Sequence, residues 1–268
     1  MHNVNVSYRT GCFVQNVELI VVGAGACGLI AALRASGEAA EVLILERDSS
    51  PSGSTSLSSG FIPAGGTRFQ KSAGQPADSA GEFAKDIQTK SHGQSLPSHV
   101  RLACENIAQA MEWLADDYSI PWIVLDDFLY PGHRFHRMHA VPEKTGEALQ
   151  ARLLAAVQQQ EIPVATESRV TTLYTDVPGT SAAGADNAIE QRITGVEITR
   201  PDGQKESIGC KALILACNGY GGNKDMVERY IPQIANGLYF GHPAVCSALP
   251  CLCCHHNHCT QVSALYSL

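Results

Sequence analysis

The sequence predicts an α/β fold: a doubly wound, central parallel sheet with a three-stranded antiparallel meander crossing over it. Three observations carry this. An apolar run is followed at once by a glycine turn and a helical pattern, the order of a strand–helix–strand unit. Between residues 164 and 210 the apolar period changes from helical to two. A last apolar run, KALILA at 211–216, then returns to a second glycine turn.

Residues 17–22 read as a buried strand, and Gly23, Gly25 and Gly28 form a G-x-G-x-x-G turn after it. Gly23 permits the tight turn, Gly25 admits a pyrophosphate close to the backbone, and Gly28 lets the helix pack on the strand. The helix dipole and its free N–H groups favour an anion there. Ala26, Leu29, Ile30 and Leu33 recur at helical spacing, and Gly37 is a C-cap. Residues 42–45 form a second strand, closed by Glu46 at the spacing expected of an acidic residue that binds ribose hydroxyls. The unit is a Rossmann-like dinucleotide fingerprint.

Residues 47–79 are rich in Ser, Gly and Pro, and too long for an ordinary connection, so they are either functional or disordered. Helical patterns cover about 77–89 and start again near Pro97, with Val100, Ala103, Ile107, Met111 and Leu114 on one face, and Pro121 ends that region. Residues 122–125 form a short strand. A loop with His133, Arg134, His136, Arg137 and His139 follows. Its basic residues read first as a solvated loop or as support for a cofactor, and only second as catalytic groups. Thr145 N-caps a helix carrying Leu149, Leu153, Ala156 and Val157. Strands at 164–166, 169–175, 192–199 and 206–210 come next, with a Pro201-Asp202-Gly203 turn between the last two. A short helix at 224–230 is stopped by Pro232.

The formal net charge is −7 and no basic run interleaves with aromatics, so nucleic acid is not an expected partner. No apolar stretch reaches the roughly 18 residues that span a membrane, and residues 1–16 do not read as a secretory signal. The expected compartment is the cytosol, with Cys12, Cys27, Cys104, Cys210 and Cys217 as small core residues.

Four segments in order resemble the fumarate reductase/succinate dehydrogenase flavoprotein superfamily, whose soluble members include fumarate reductases and 3-ketosteroid dehydrogenases. IVVGAGACGLIAALRA with LILER resembles its ADP fingerprint, ending on Glu46 and Arg47. SGSTSLSSGFIPAGG resembles its flavin segment, HAVPEKTGEALQARLLAAV its Lys-Thr-Gly helix start, and LILACNGYGGNKDMVERYIP its Ala-Thr-Gly-Gly strand end. The resemblance implies an FAD-dependent oxidoreductase that moves hydride between flavin N5 and a CH–CH bond of a small-molecule substrate. The substrate, the direction of the reaction and the electron partner are not legible.

As cofactor-binding positions it implies Gly23, Gly25, Ala26, Gly28, Glu46 and Arg47 for the ADP half. Ser54, Thr55, Ser59 and Gly60 would line the pyrophosphate, ribityl chain and flavin. Val170 would pair its backbone with adenine, and Ala216, Cys217 and Gly219 would lie beside the adenosine. Cys217 and Asn218 replace Thr and Gly of the family pattern, and Asn tolerates the left-handed conformation that glycine would supply. No histidine lies between Glu46 and Lys90 to match the one that covalently flavinylated members carry, so FAD is expected to be held non-covalently.

The expected organisation is an N-terminal extension at 1–16, a partial FAD-binding domain at 17–242 and an aberrant tail at 243–268. The tail holds Cys246, Cys251, Cys253, Cys254 and Cys259 and, from Ala244 on, no Lys, Arg, Asp or Glu. A metal site is one reading, but the Cys/His spacing fits no standard zinc pattern, so no metal is expected. A partner-binding or membrane-touching segment is another. The favoured reading is a reading frame lost near 241–245, which makes the chain truncated relative to the family and catalytically incomplete. A non-catalytic FAD/ADP-binding remnant is the alternative. A nicotinamide-dependent dehydrogenase is a weaker rival, because it needs neither the serine-rich segment nor the ACNGYGG turn.

Overall fold

Strand β1 (Asn5–Tyr8) opens the chain, followed by β2 (Gln15–Val22), α1 (Ala26–Ser36), β3 (Val42–Leu45) and the short α2 (Gly53–Ser56). Then come β4 (Ile62–Pro63), α3 (Arg68–Ser72), α4 (Ala80–Lys90), α5 (Pro97–Tyr118), β5 (Ile123–Val124), β6 (Met138–Ala140) and α6 (Gly146–Gln159). The chain closes through β7 (Val164–Ala165), β8 (Arg169–Thr175), β9 (Ile193–Thr199), β10 (Lys205–Leu215), α7 (Lys224–Tyr230) and a 3-10 turn at Pro232–Ile234. The computed structural model describes residues 4–9, 11–38, 40–176 and 192–242. The Cys/His-rich tail therefore lies outside the described residues. Two compact units form, one from the chain up to Leu57 and from Leu153 on, the other from Ser58–Arg152.

The first unit is built on a seven-stranded sheet in the order β1-β8-β9-β10-β2-β3-β7. Pairing is parallel at β1–β8, β10–β2, β2–β3 and β3–β7, and antiparallel on both sides of β9. The second half of β2, Leu19 to Val22, is a continuous apolar run because both its faces are covered. On one face Ile20 and Val22 join Leu45, Val170, Leu173, Val196, Ile198 and Ile208, so the meander β8–β9–β10 lies over β2 and β3. On the other face α1 packs against β2, β3 and β10, burying Gly28, Leu29, Ala32 and Leu33. This helix is turned slightly from the expected stripe: Ala26 and Ile30 are only half-buried.

Two strands expected at 206–210 and 211–216 are one, β10. Its first half pairs with β9 and its second half with β2, and Ile208 and Gly209 pair on both sides. Lys211 looked like a break but points its ammonium to Glu18 at 2.6 Å, outside the core. Residues expected as an N-terminal extension contribute β1, paired from Asn5–Thr172 to Tyr8–Thr175. Arg9 lies over the rings of Phe13 and Tyr174.

In the second unit α4 packs on α5 through Phe83, Val100 and Cys104. Cys104, not Ala103, fills the core face of α5. A three-stranded antiparallel sheet, β4-β6-β5, was not expected, and two of its strands are too short to show a period. Thr145 caps α6 as expected, its Oγ1 accepting from the Ala148 N–H at 3.2 Å.

The basic loop is only partly solvated, which corrects that reading: Arg134 is exposed, while His133 and His136 are half-buried. Arg137 and His139 are buried. Arg137 donates to both oxygens of Asp78, at 2.7 and 2.9 Å, and to Asp86 at 2.6 Å. His139 bridges Thr67 Oγ1 (2.8 Å) and the Arg137 carbonyl (2.7 Å). Three hydrogen bonds to two carboxylates explain why a charge survives burial. Burial pushes the Asp86 carboxyl up, but hydrogen bonds from Arg137 and Arg134 outweigh this and hold it at about 2.

Candidate functional site

A cleft of about 450 Å³ opens at the C-terminal ends of β2, β3 and β10, beneath the start of β8. This volume falls within the range of small-molecule sites. The place is where the strand order reverses around β2, the usual ligand position in such sheets.

The glycines divide by what constrains them. Gly23 has φ +105°, and a Cβ there would stand 2.6 Å from the Ala216 carbonyl oxygen. A Cβ on Gly28 would overlap the Gly23 carbonyl oxygen, so the helix can approach the strand only without one. Both are required by the protein itself. Gly25 is not: a Cβ there would meet only Thr55 Oγ1, at 3.5 Å, and its φ is an ordinary −77°. A residue that the fold leaves free to carry a side chain, yet does not, keeps its backbone open toward the cleft.

Glu46 is buried at the end of β3, and backbone holds it on every side. Its amide donates to the Ala165 carbonyl at 2.9 Å and its carbonyl accepts from Ser168 at 2.8 Å. One carboxylate oxygen accepts from the Ala24 N–H (2.8 Å) and the other from the Asp48 N–H (2.9 Å). A carboxylate has about four acceptor positions, so two remain for ligand hydroxyls. Arg47 grips Asp48 through Nε and Nη2, and this pairing lowers the Asp48 pKa.

The first part of the serine-rich segment, Gly53 to Thr55, lines the cleft. Helix α2 sets Thr55 Oγ1 to accept from the Ala26 N–H at 3.0 Å, beside the start of α1. Ser54 Oγ accepts from Asn218 Nδ2 (2.6 Å) and from the His242 N–H (3.0 Å). Asn218 adopts φ +69°, the left-handed conformation expected of it. Burial pushes the Cys27 thiol up, so it stands at the mouth of the cleft as a neutral group.

Gly23, Gly25, Ala26, Glu46, Arg47, Ser54, Thr55, Val170, Ala216 and Cys217 thus share one cleft. Gly28 supports it from behind. Gly219 does not line it, and nothing crowds a Cβ there. Ser59 and Gly60 belong to the second unit and are not among the lining residues. Gly60 has its own reason to be glycine: φ +68° and a Cβ clash with the Thr145 carbonyl at 2.9 Å. Val4, Asp48, Thr171 and His242 also line the cleft and were not foreseen. Asp48, adjoining the Glu46-Arg47 pair, carried its charge as a signal, whereas Val4 had none.

The donors and acceptors fit an adenine dinucleotide. Glu46 offers acceptors to a ribose, Gly25 and the α1 N-terminus suit a pyrophosphate, and the β8 edge at Val170 suits a base.

Comparison with known proteins agrees. The model of the FAD binding domain family matches residues 18–247. The chain is 28% identical to the NADH:fumarate oxidoreductase of Klebsiella pneumoniae (strain 342), over 85% of this chain and 23% of that protein. It is 29% identical to the urocanate reductase of Eggerthella lenta, over 82% of this chain and 34% of that protein. The chain thus spans about a quarter to a third of these relatives' length. Among solved structures, a flavocytochrome c3 fumarate reductase in its open conformation superposes with a TM-score of 0.73 at 25% identity, covering 87% of this chain and 39% of the other. A 3-ketosteroid-Δ4-(5α)-dehydrogenase from Rhodococcus jostii RHA1 shares the fold, with a TM-score of 0.71 at 20% identity, over 90% and 54%. The fingerprint, the cleft it builds and a family match over most of the sequence lead to one statement: the chain belongs to the FAD-binding domain family of the fumarate reductase-like flavoproteins.

Proposed function

We propose that this chain holds the ADP half of a non-covalently bound FAD, as the cofactor-binding part of an oxidoreductase acting on a carbon–carbon bond conjugated to a carboxylate. The observation that carries the binding reading is Gly25. The fold does not need a glycine there, and a pyrophosphate passing over the start of α1 does. Ser54 and Thr55 extend the polar wall along the same side, and Glu46 takes the ribose.

FAD, when bound, would supply two-electron hydride chemistry that no side chain offers. The chain's own residues bind and orient it. The substrate class rests on the names of two relatives, since fumarate and urocanate are both unsaturated carboxylates. The cytosol is the compartment we favour, as the five described cysteines form no disulfide.

The test is direct. The purified protein, mixed with FAD and desalted, should show the two visible flavin bands. Acid precipitation should leave the yellow colour in the supernatant. A colourless protein after FAD addition would refute the binding reading, and colour retained in the acid pellet would refute non-covalent attachment.

The alternative reading is FAD binding without turnover. An anaerobic assay with a reduced viologen dye and fumarate or urocanate separates the two: dye oxidation supports the enzyme, and its absence in an FAD-loaded sample supports the carrier.

A further inference from the structure

We infer that the N-terminal strand is part of the cofactor site and that Val4 forms a wall for the adenine ring; this rests on the FAD reading above. Strand β1 adds to the outer edge of β8 in parallel. Parallel pairing fixes which end of β1 faces the cleft. Asn5 pairs with Thr172, so Val4 sits at the level of Thr171, one step from Val170. Val4, Val170 and Thr171 all line the cleft.

Two further features mark this corner. The β8–β9 register shifts between Val170 and Thr172, so Thr171 is an extra residue on β8. Such bulges re-aim side chains beside binding sites. Thr171 Oγ1 turns to Glu197 and Thr199, at 3.1–3.4 Å, and spends its polarity within the meander. Among the described residues, pairing by β1 begins at Thr172 and does not reach the backbone edge of Val170. A flat heteroaromatic base needs both things this corner offers: backbone donors and acceptors on its rim, and an apolar surface on its face. Val170 supplies the rim. Val4, half-buried and packed against the same apolar cluster as Val170 and Leu173, supplies the face.

Val4→Ser tests this with little risk to the fold, since Val4 stands outside the β1 pairs. FAD binding to the full chain is followed by quenching of flavin fluorescence, with ADP and FMN as competitors. The variant should lose about five- to tenfold in affinity for both FAD and ADP, the scale of one partly buried apolar contact. FMN, which lacks adenine, should compete as with the wild type, and Val4→Ile should bind FAD normally. Val4 also packs on the apolar cluster, so the melting temperature without ligand should fall slightly, and binding is compared where both proteins are fully folded. Unchanged FAD and ADP affinity in Val4→Ser would overturn the inference, as would equal losses for FMN or a lowered melting temperature that accounts for the loss. If the wild type itself binds no FAD, the cofactor reading fails first, and that result is separate.

Discussion

Gly25 and Gly28 look alike in sequence but answer to different constraints. A methyl on Gly28 overlaps the backbone oxygen of Gly23, whereas a methyl on Gly25 touches one hydroxyl at van der Waals distance. Gly28→Ala should therefore destabilise the fold by about 1–3 kcal/mol, as overpacking does, measured by urea denaturation. Gly25→Ala should melt like the wild type and lose FAD affinity, read by flavin fluorescence. Equal stability losses in both variants would show that the loop, not a ligand, selects glycine at 25. At this scale the sequence was most informative where backbone chemistry restricts residue type. The three glycines, Glu46 and the left-handed Asn218 were all readable. Val4 was not, because a single valine carries no mark of the strand that meets it across the sheet.

Among the elements, those with a sustained period were found close to their places: α1, β3, α5, β8 and α7. The ones that escaped are short or ambiguous. β4 and β6 hold two and three residues, and β10 hides its continuity behind one lysine. Mistaking the basic loop for a solvated one had a specific cause. Its partners, Asp78 and Asp86, lie on the chain before α5, and nothing local links them to Arg137. This network ties Arg137, just before β6, to Asp86 on α4 and to Asp78 just ahead of that helix. Arg137→Met should cost about 3–5 kcal/mol in urea denaturation, since it takes the charged partner from buried Asp78 and one of two arginines from Asp86.

The pH dependence follows from Asp86. Its folded pKa, about 2, lies below the ordinary 3.8, so its contribution to stability is complete above about pH 4 and lost as pH falls toward 2. Urea midpoints for the wild type should drop across that window more steeply than those of Asp86→Asn. Parallel curves would show that Asp86 is not the group being titrated.

For the molecule as a whole, cofactor and stability should be linked. Under the proposed function FAD binds the folded cleft and not the unfolded chain, so at a hundred times Kd it should add about 2.7 kcal/mol. A melting temperature indifferent to FAD would argue that the cleft is not assembled in solution. Family and fold class were legible because the fingerprint, the serine-rich segment and the second glycine turn occur in order. The assembly of the cleft was not, since its walls come from residues as far apart as Val4, Thr55, Val170 and His242. No helix among the described residues is long and apolar enough to cross a membrane. The long strand β10 has a consequence for biosynthesis. β2 emerges from the ribosome early, yet its partner on one side is synthesised only when the chain reaches Ile208. Until then a run of buried-type apolar residues, Leu19 to Val22, has an open edge. Nascent chains arrested before β10 should be held by chaperones and should retain no flavin, and the capacity to bind should appear abruptly once Ala216 and Cys217 have cleared the exit tunnel.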